Sequence, residues 1–308
     1  MVSARLMRAL AIAAVVTQAG ISVTGSVVRV TGSGLGCPDW PTCFPGRMFP
    51  DPHEDIAWIH QWVEFGNRLL VGLVSAVAIA CLIGALGTRR RGKAVGGAGE
   101  QSRRRLILLA AAMPAGVAAQ AVIGGFTVLL GLAWWTVSVH FLVSMVLVWL
   151  AVLLVDASTD AVRDPAEPAD TPAPVRRLVT AGSVTLAALL VAGTMVTAAG
   201  PHAGDAATPR LGLGVPLMAQ IHGALLIVYL GLLAGLGARL RGSTHRVRRA
   251  YRLLLGAVLA QGLLGVVQYR LGVPEILVSL HVLGACLVAA AAAALWAATH
   301  PRPGVPAR

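Results

Sequence analysis

Two stretches, "AQAVIGG…VSVHFL" at 119–142 and "AQGLLGV…VSLHVL" at 260–283, decide how this 308-residue chain is built. In each, a glutamine (Gln120, Gln261) is followed 20 residues on by a histidine (His140, His281), and a serine (Ser138, Ser279) stands two residues before the histidine. Three residue types sharing one offset of 141 mark an internal repeat, and a repeat means a duplicated structural unit. A weaker match sets "NRLLVGLV" (67–74) against "HGALLIVY" (222–229). Gly25 and Gly193 hold like places, flanked by Thr or Ser, in the run that opens each copy.

Outward from the repeat, the chain is apolar throughout. It is 56% hydrophobic and 12% charged, more apolar surface than a soluble domain of this length can hide, so the bilayer is its natural solvent. Eight runs long enough to cross a membrane fall at about 9–28, 58–87, 106–131, 134–155, 178–199, 216–238, 253–271 and 276–298. The first follows Arg5 and Arg8 like a signal peptide but lacks a small-x-small cleavage site, and it reads as a retained span. The net charge of +12 does not indicate a nucleic-acid partner, because the basic residues form short clusters between apolar runs rather than one face. With the N-terminus inside, 20 of the 25 Lys and Arg fall in inner segments and only Arg29, Arg47, Arg210 and Arg270 in outer ones, which predicts both termini in the cytoplasm.

The fold expected is therefore an all-α membrane protein of eight transmembrane helices, arranged as two parallel-repeat four-helix bundles. Residues 1–155 form the first half and 178–298 the second. Between them the Ala-, Pro- and Asp-rich stretch 156–177 reads as a cytoplasmic linker, and 299–308 as a cytoplasmic tail. Cys37 and Cys43 lie in the first outer loop, with five residues and two prolines between them, where a disulfide can form. Cys81 and Cys286 lie within spans and read as small packing residues. The glycines of "TGSGLG" (31–36) have neither a preceding strand nor a following helix and are no dinucleotide fingerprint.

Ionisable side chains inside a membrane are costly and mark function. His53, His202, His245 and His300 fall in loops or tails; His60, His140, His222 and His281 fall at or near the outer ends of spans two, four, six and eight. The last three lie about six residues in, roughly 9 Å deep at 1.5 Å per residue. Zinc would want three or four close N, S or O ligands, and the second half offers no nearby membrane carboxylate or thiol to complete such a set. A haem iron wants two axial ligands across a flat macrocycle, so His222 and His281 suit a bis-histidine b-type haem. In the first half His140 faces the repeat position Asn67, a poor iron ligand. "HQWVEFGNRLL" (60–70) puts His60, Glu64, Asn67 and Arg68 on one helical face. Either His60 substitutes as the ligand or the site keeps one strong ligand. Glu64 and Arg68 have the i,i+4 spacing of an ion pair, and Gln120 and Gln261 are placed either to bond a ligand imidazole or haem propionate or to join helices.

The outer run "GSVVRVTGSGLGCPDWPTC" (25–43), then "WVEFGNRLL" (62–70), then histidine-bearing helices in two four-span halves, resembles the haem A synthase family over nearly the whole chain. The resemblance implies a plasma-membrane enzyme that oxidises the C8 methyl group of haem O to the formyl group of haem A, the cytochrome c oxidase cofactor, by two hydroxylations and a dehydration. It implies a fixed haem b on His222 and His281 in the second half, and the haem substrate in the first half on His140. It matches Glu64 to the family's catalytic glutamate and Cys37 and Cys43 to its cysteine pair, with Arg68 beside them. The family histidine three residues after that glutamate falls on Asn67. Partners implied are haem O and haem A, a haem O synthase and a membrane electron acceptor, with a homo-oligomer left open. The alternative is a di-haem b-type electron-transfer subunit, which explains the histidines but not the Glu64 cluster. A transporter of parallel repeats would want paired Gly/Pro interruptions at mid-membrane, which these spans lack.

Overall fold

A chain in hydrocarbon must satisfy its backbone hydrogen bonds within each segment, so each apolar run closes on itself as a helix. The computed structural model describes residues 2–88, 98–160 and 171–300. Among the described residues eight helices result: α1 (Ala4–Val30), α2 (Trp58–Gly87), α3 (Ala98–Leu129), α4 (Trp134–Asp160), α5 (Ala173–Ala199), α6 (Val215–Gly237), α7 (His245–Arg270) and α8 (Glu275–Thr299). All eight are long and apolar enough to cross a membrane, as the hydropathy predicts. No strand occurs among the described residues beyond one isolated bridge between Phe44 and Arg47.

Several helices outrun their apolar stretches at the basic ends. α1 takes in Arg5 and Arg8 and is capped by the Ser3 hydroxyl, while α7 takes in Arg246 to Arg252 behind a Thr244 cap. Arginine is a good helix former and its long stem can run back along apolar surface, so the helix continues where hydropathy falls. The stretch expected as a linker is likewise helical at both ends, to Asp160 and from Ala173; residues 161–170 and the tail 301–308 lie outside the described residues.

The repeat extends to the turns. After α3 and α7 the chain reverses through a glycine and a second residue in the left-handed region: Gly131 (φ 61°) and Leu132 (φ 59°), then Gly272 (φ 75°) and Val273 (φ 63°). Each branched residue returns its N–H over 2.8 Å to a carbonyl five residues back, Thr127 and Gln268. A side chain beyond glycine is strained at such a φ, and it recurs here at the same offset of 141.

Helices α1 to α4 pack in a ring, each against the next and α4 against α1. Its buried core includes Met7, Ala11, Met113 and Leu154. In the other half α5 pairs with α6 and α7 with α8 around Leu186, Tyr229, Leu254 and Leu295, while α6 and α7 barely touch. The seam runs along α8, which packs on α1 and α4 through Met145, Val148, Cys286 and Ala289. At the ends bearing the basic clusters, Asp156 of α4 is buried and pairs with Arg105 of α3 at 3.2 Å and with Arg246 of α7, tying the halves together.

Candidate functional site

Each of the three deep histidines lies against a glycine of the preceding helix. A methyl group placed on Gly193 of α5 would stand 3.2 Å from Cε1 of His222; on Gly265 of α7, 3.2 Å from Cε1 of His281; on Gly124 of α3, 3.2 Å from Cε1 of His140. Only glycine lets the imidazole lie this close to the neighbouring backbone. Gly124 and Gly265 are themselves related by the offset of 141, a signal present in the sequence and passed over there.

The ring nitrogens differ. Nδ1 of His222 is 3.1 Å from the Leu189 carbonyl, and since a carbonyl only accepts, Nδ1 carries the proton and Nε2 is left as a lone pair. Nδ1 of His140 and of His281 is buried with no hydrogen-bond partner, as is Oε1 of Gln120 and of Gln261. Both glutamines donate Nε2 to the backbone carbonyl of the repeat histidine, 3.0 Å to His140 and 2.8 Å to His281. Gln120 also reaches Ser144 at 2.5 Å. They hold the helix that carries the ring, rather than the ring itself.

The four polar residues on one face of α2 do not share a partner. His60 turns outward, its Nδ1 2.8 Å from the Ser33 hydroxyl, and its carbonyl lies so close to Gly36 that a methyl there would be 2.2 Å away. Asn67 turns to α1 and accepts from the Thr24 hydroxyl at 2.7 Å. Glu64 and Arg68 do pair, through Nε at 3.1 Å and through Nη2.

That pair is the anchor of the first outer loop. Oε2 of Glu64 accepts the Cys37 N–H at 2.8 Å. Arg68 donates to the carbonyls of Cys37 (2.6 Å), Asp39 (2.8 Å) and Thr42 (2.9 Å). The loop so held contains the Cys37–Cys43 disulfide, whose Cα atoms are 4.3 Å apart. Gln61, fully buried and not singled out in the sequence, accepts from the Asp51 N–H and donates to the Ile56 carbonyl, fixing the loop's return. From the loop's tip the Trp40 indole lies over Gly125 of α3, where a methyl would be 2.5 Å from the ring. Gly125 adjoins Gly124, the glycine under His140. One chain of contacts thus runs from the buried carboxylate through the disulfide loop to the His140 site.

Three half-buried imidazoles stand on a helical scaffold, and two of them have a buried ring nitrogen without a partner, a chemistry that suits a flat macrocycle bound from its axial sides. Among the described residues no three His, Cys, Asp or Glu side chains converge as a bare metal ion would require. With its eight apolar helices the molecule is a multi-pass membrane protein. Comparison with known proteins makes the class particular: residues 8–211, about two thirds of the chain, match the COX15-CtaA family of cytochrome oxidase assembly proteins, and the chain belongs to that family. The matched residues include Glu64, Asn67 and His140; His222 and His281 lie beyond them. Curated relatives are the haem A synthases of Geobacillus kaustophilus (35% identical over 68 residues) and Geobacillus thermodenitrificans (37% over 51 residues), covering 22% and 17% of this chain and 20% and 14% of the relatives. That of Lysinibacillus sphaericus is 39% identical over 51 residues, 17% of this chain and 15% of the relative. The aligned segments thus span no more than about a fifth of the length of these relatives.

Proposed function

We propose that the chain is a haem A synthase, oxidising the C8 methyl group of haem O to a formyl group through two hydroxylations and a dehydration. Residues 1–155 hold the haem substrate and residues 178–298 a resident haem b. The observation that carries this reading is the Glu64–Arg68 anchor, because it folds a polar, disulfide-closed loop over one histidine site and not over the other. A protein that only relayed electrons between two haems would have use for the histidines and none for this loop.

His222 and His281 would hold the haem b, which would supply a path for electrons from the substrate toward a membrane acceptor. The Leu189 carbonyl keeps the His222 ring in the tautomer with Nε2 free to bind. Gln261 fixes the height of His281 by gripping its backbone. In the first half His140 binds the substrate, with Gln120 in the same role. Glu64 is the catalytic carboxylate: Arg68 holds Oε1, and Oε2 is presented at the loop, where it takes up protons released as the methyl carbon is oxidised and stabilises positive charge developing there. Fixed donors around a buried carboxylate make that field available without reorganisation. Trp40 and the disulfide loop limit water on the outer side. The excess of Lys and Arg in the inner segments supports a plasma-membrane protein with both termini in the cytoplasm. The partners are haem O and haem A, with a haem O synthase as donor.

The test is the mass of the haems extracted from the purified chain after co-expression with a haem O source, for the native protein and for Glu64→Gln. Haem A or its hydroxylated precursor beside haem B in the native chain, and unreacted haem O in the variant, is the expected result. Haem B alone in both, with haem O available, would instead favour the di-haem electron-transfer subunit, which the repeated histidine–glycine contacts would equally serve.

A further inference from the structure

The repeat gives four equivalent places where a ligand histidine could lie on a glycine, and only three are used. His222 lies on Gly193, His281 on Gly265 and His140 on Gly124. The fourth pair is Asn67 of α2 and Gly25 of α1. Gly25 is still glycine, yet a methyl placed on it meets nothing within 4 Å. Here open space stands before the glycine, and a shorter amide occupies the position where the other three have a ring.

We propose that the first-half haem site has one protein axial ligand, His140, and that its other axial face is a pocket bounded by Gly25 and Asn67 which takes a small neutral ligand such as water or a diatomic molecule. The inference rests on the haem reading above. Asn67 is tied through Oδ1 to Thr24, and its Nδ2 donates to no protein group among the described residues. A carboxamide is a poor iron ligand, but its N–H is a good donor to a neutral ligand held beside it. His60 cannot close the pocket from where it stands. It precedes Asn67 by seven residues, about 10 Å along the helix at 1.5 Å per residue. Its Nδ1 is occupied by Ser33 and its backbone is wedged against Gly36. In the second half, by contrast, His222 already fills the corresponding place, and that haem has no free face.

The two halves should therefore differ in spin state and in access to added ligands. Purified holoprotein carrying haem in both halves is examined by electron paramagnetic resonance and, after reduction, by carbon monoxide titration. The native chain should give one low-spin and one high-spin haem, with carbon monoxide taken up by the high-spin one alone. Asn67→His should place a ring on Gly25, convert the high-spin signal to low-spin and lose carbon monoxide binding. His60→Ala should leave the native pattern intact. Asn67→Leu, a milder change than the histidine, should keep the high-spin haem and shift the infrared stretching frequency of its bound carbon monoxide, since the N–H donor is gone. Two low-spin haems in the native chain, both refractory to carbon monoxide, would overturn this inference and leave the synthase reading standing. Loss of the low-spin state of one haem in His60→Ala would do the same. A chain that holds haem in the second half only, with haem O supplied, would overturn both.

Discussion

Set side by side, α2 and α6 show how one helix serves two kinds of site. Aligned on the repeat, α6 carries Ala219, His222 and Gly223 where α2 carries Glu64, Asn67 and Arg68. The second half has the imidazole and no charge beside it; the first has a buried ion pair and no imidazole. Ala219 and Gly223, at the places of the ion pair, are small, and the His222 ring lies on Gly193. Glu64 and Arg68 instead reach outward to the carbonyls and N–H of residues 37–42, whereas the outer loop of the second half is held without a disulfide or a buried ion pair among the described residues, through His202 on the Val273 carbonyl. On the proposed reading, the duplicated framework supplies positions for axial ligands, and three differences on one helix face decide whether a position is closed for a resident group or left open under a lid.

The largest expected effect comes from removing a ligand on the closed side. His281→Ala should release the low-spin haem from the second half entirely while the first-half haem remains, and His140→Ala should do the reverse. Pyridine haemochrome content and the electron paramagnetic resonance spectrum separate the two. If either variant lost both haems, or neither, the halves would not be the independent sites the repeat suggests.

Next is the charge that only the first half has. Glu64→Gln keeps the shape of the side chain and an oxygen that can accept the Cys37 N–H, but it removes the partner of Arg68. If Glu64 handles protons in the reaction, product formation should fall about 10²- to 10⁴-fold, as for the loss of a general acid or base, with the second-half haem spectrum unchanged. An unaltered yield of haem A would reduce Glu64 to an anchor of the loop. Smaller again is the disulfide. Cys37→Ser with Cys43→Ser opens a loop of seven residues, and the expected cost is about 2 kcal/mol, confined to the first half. It should appear as an earlier thermal loss of the first-half haem absorbance, with the second-half midpoint unmoved.

How much of this was legible beforehand follows from the range of each interaction. The eight spans are visible because hydropathy is a local property of some twenty residues. Their ends are not, because helix propensity carries Arg5, Arg246 and their neighbours on past the apolar stretch. The Gln–Ser–His repeat gives the ligand candidates, and the spacing of Glu64 and Arg68 gives the ion pair. What that pair holds cannot be read from spacing: the carbonyls of Cys37, Asp39 and Thr42 belong to a loop some thirty residues away. Gln120 and Gln261, open in the sequence between ring, propionate and helix contact, bond the histidine backbone, a distinction of a few ångströms that no residue type encodes. Thr24 is one hydroxyl among many until α1 and α2 are packed. Gly124 and Gly265 are the instructive miss, since their offset of 141 was available but glycine is common in membrane helices and carries no chemistry of its own.

The other glycine pair, Gly25 and Gly193, gives the finest test of the comparison. Alanine is a better helix residue than glycine by up to about 1 kcal/mol, so with nothing nearby the substitution should be neutral or mildly stabilising. That is the situation at Gly25, where a methyl meets nothing within 4 Å. At Gly193 the same methyl would stand 3.2 Å from Cε1 of His222 and 3.5 Å from Nδ1, tighter than an ordinary contact. The ring must then tilt away, straining its bond to the Leu189 carbonyl, at a cost of about 1 kcal/mol or more as for other overpacked sites. Gly25→Ala should therefore leave haem content and thermal midpoint close to native, whereas Gly193→Ala should weaken retention of the second-half haem, read as faster transfer to an apo-globin acceptor. Equal effects at the two glycines would mean that a ring or its equivalent also lies on Gly25, and the difference between the halves would then reside in the Glu64 loop alone.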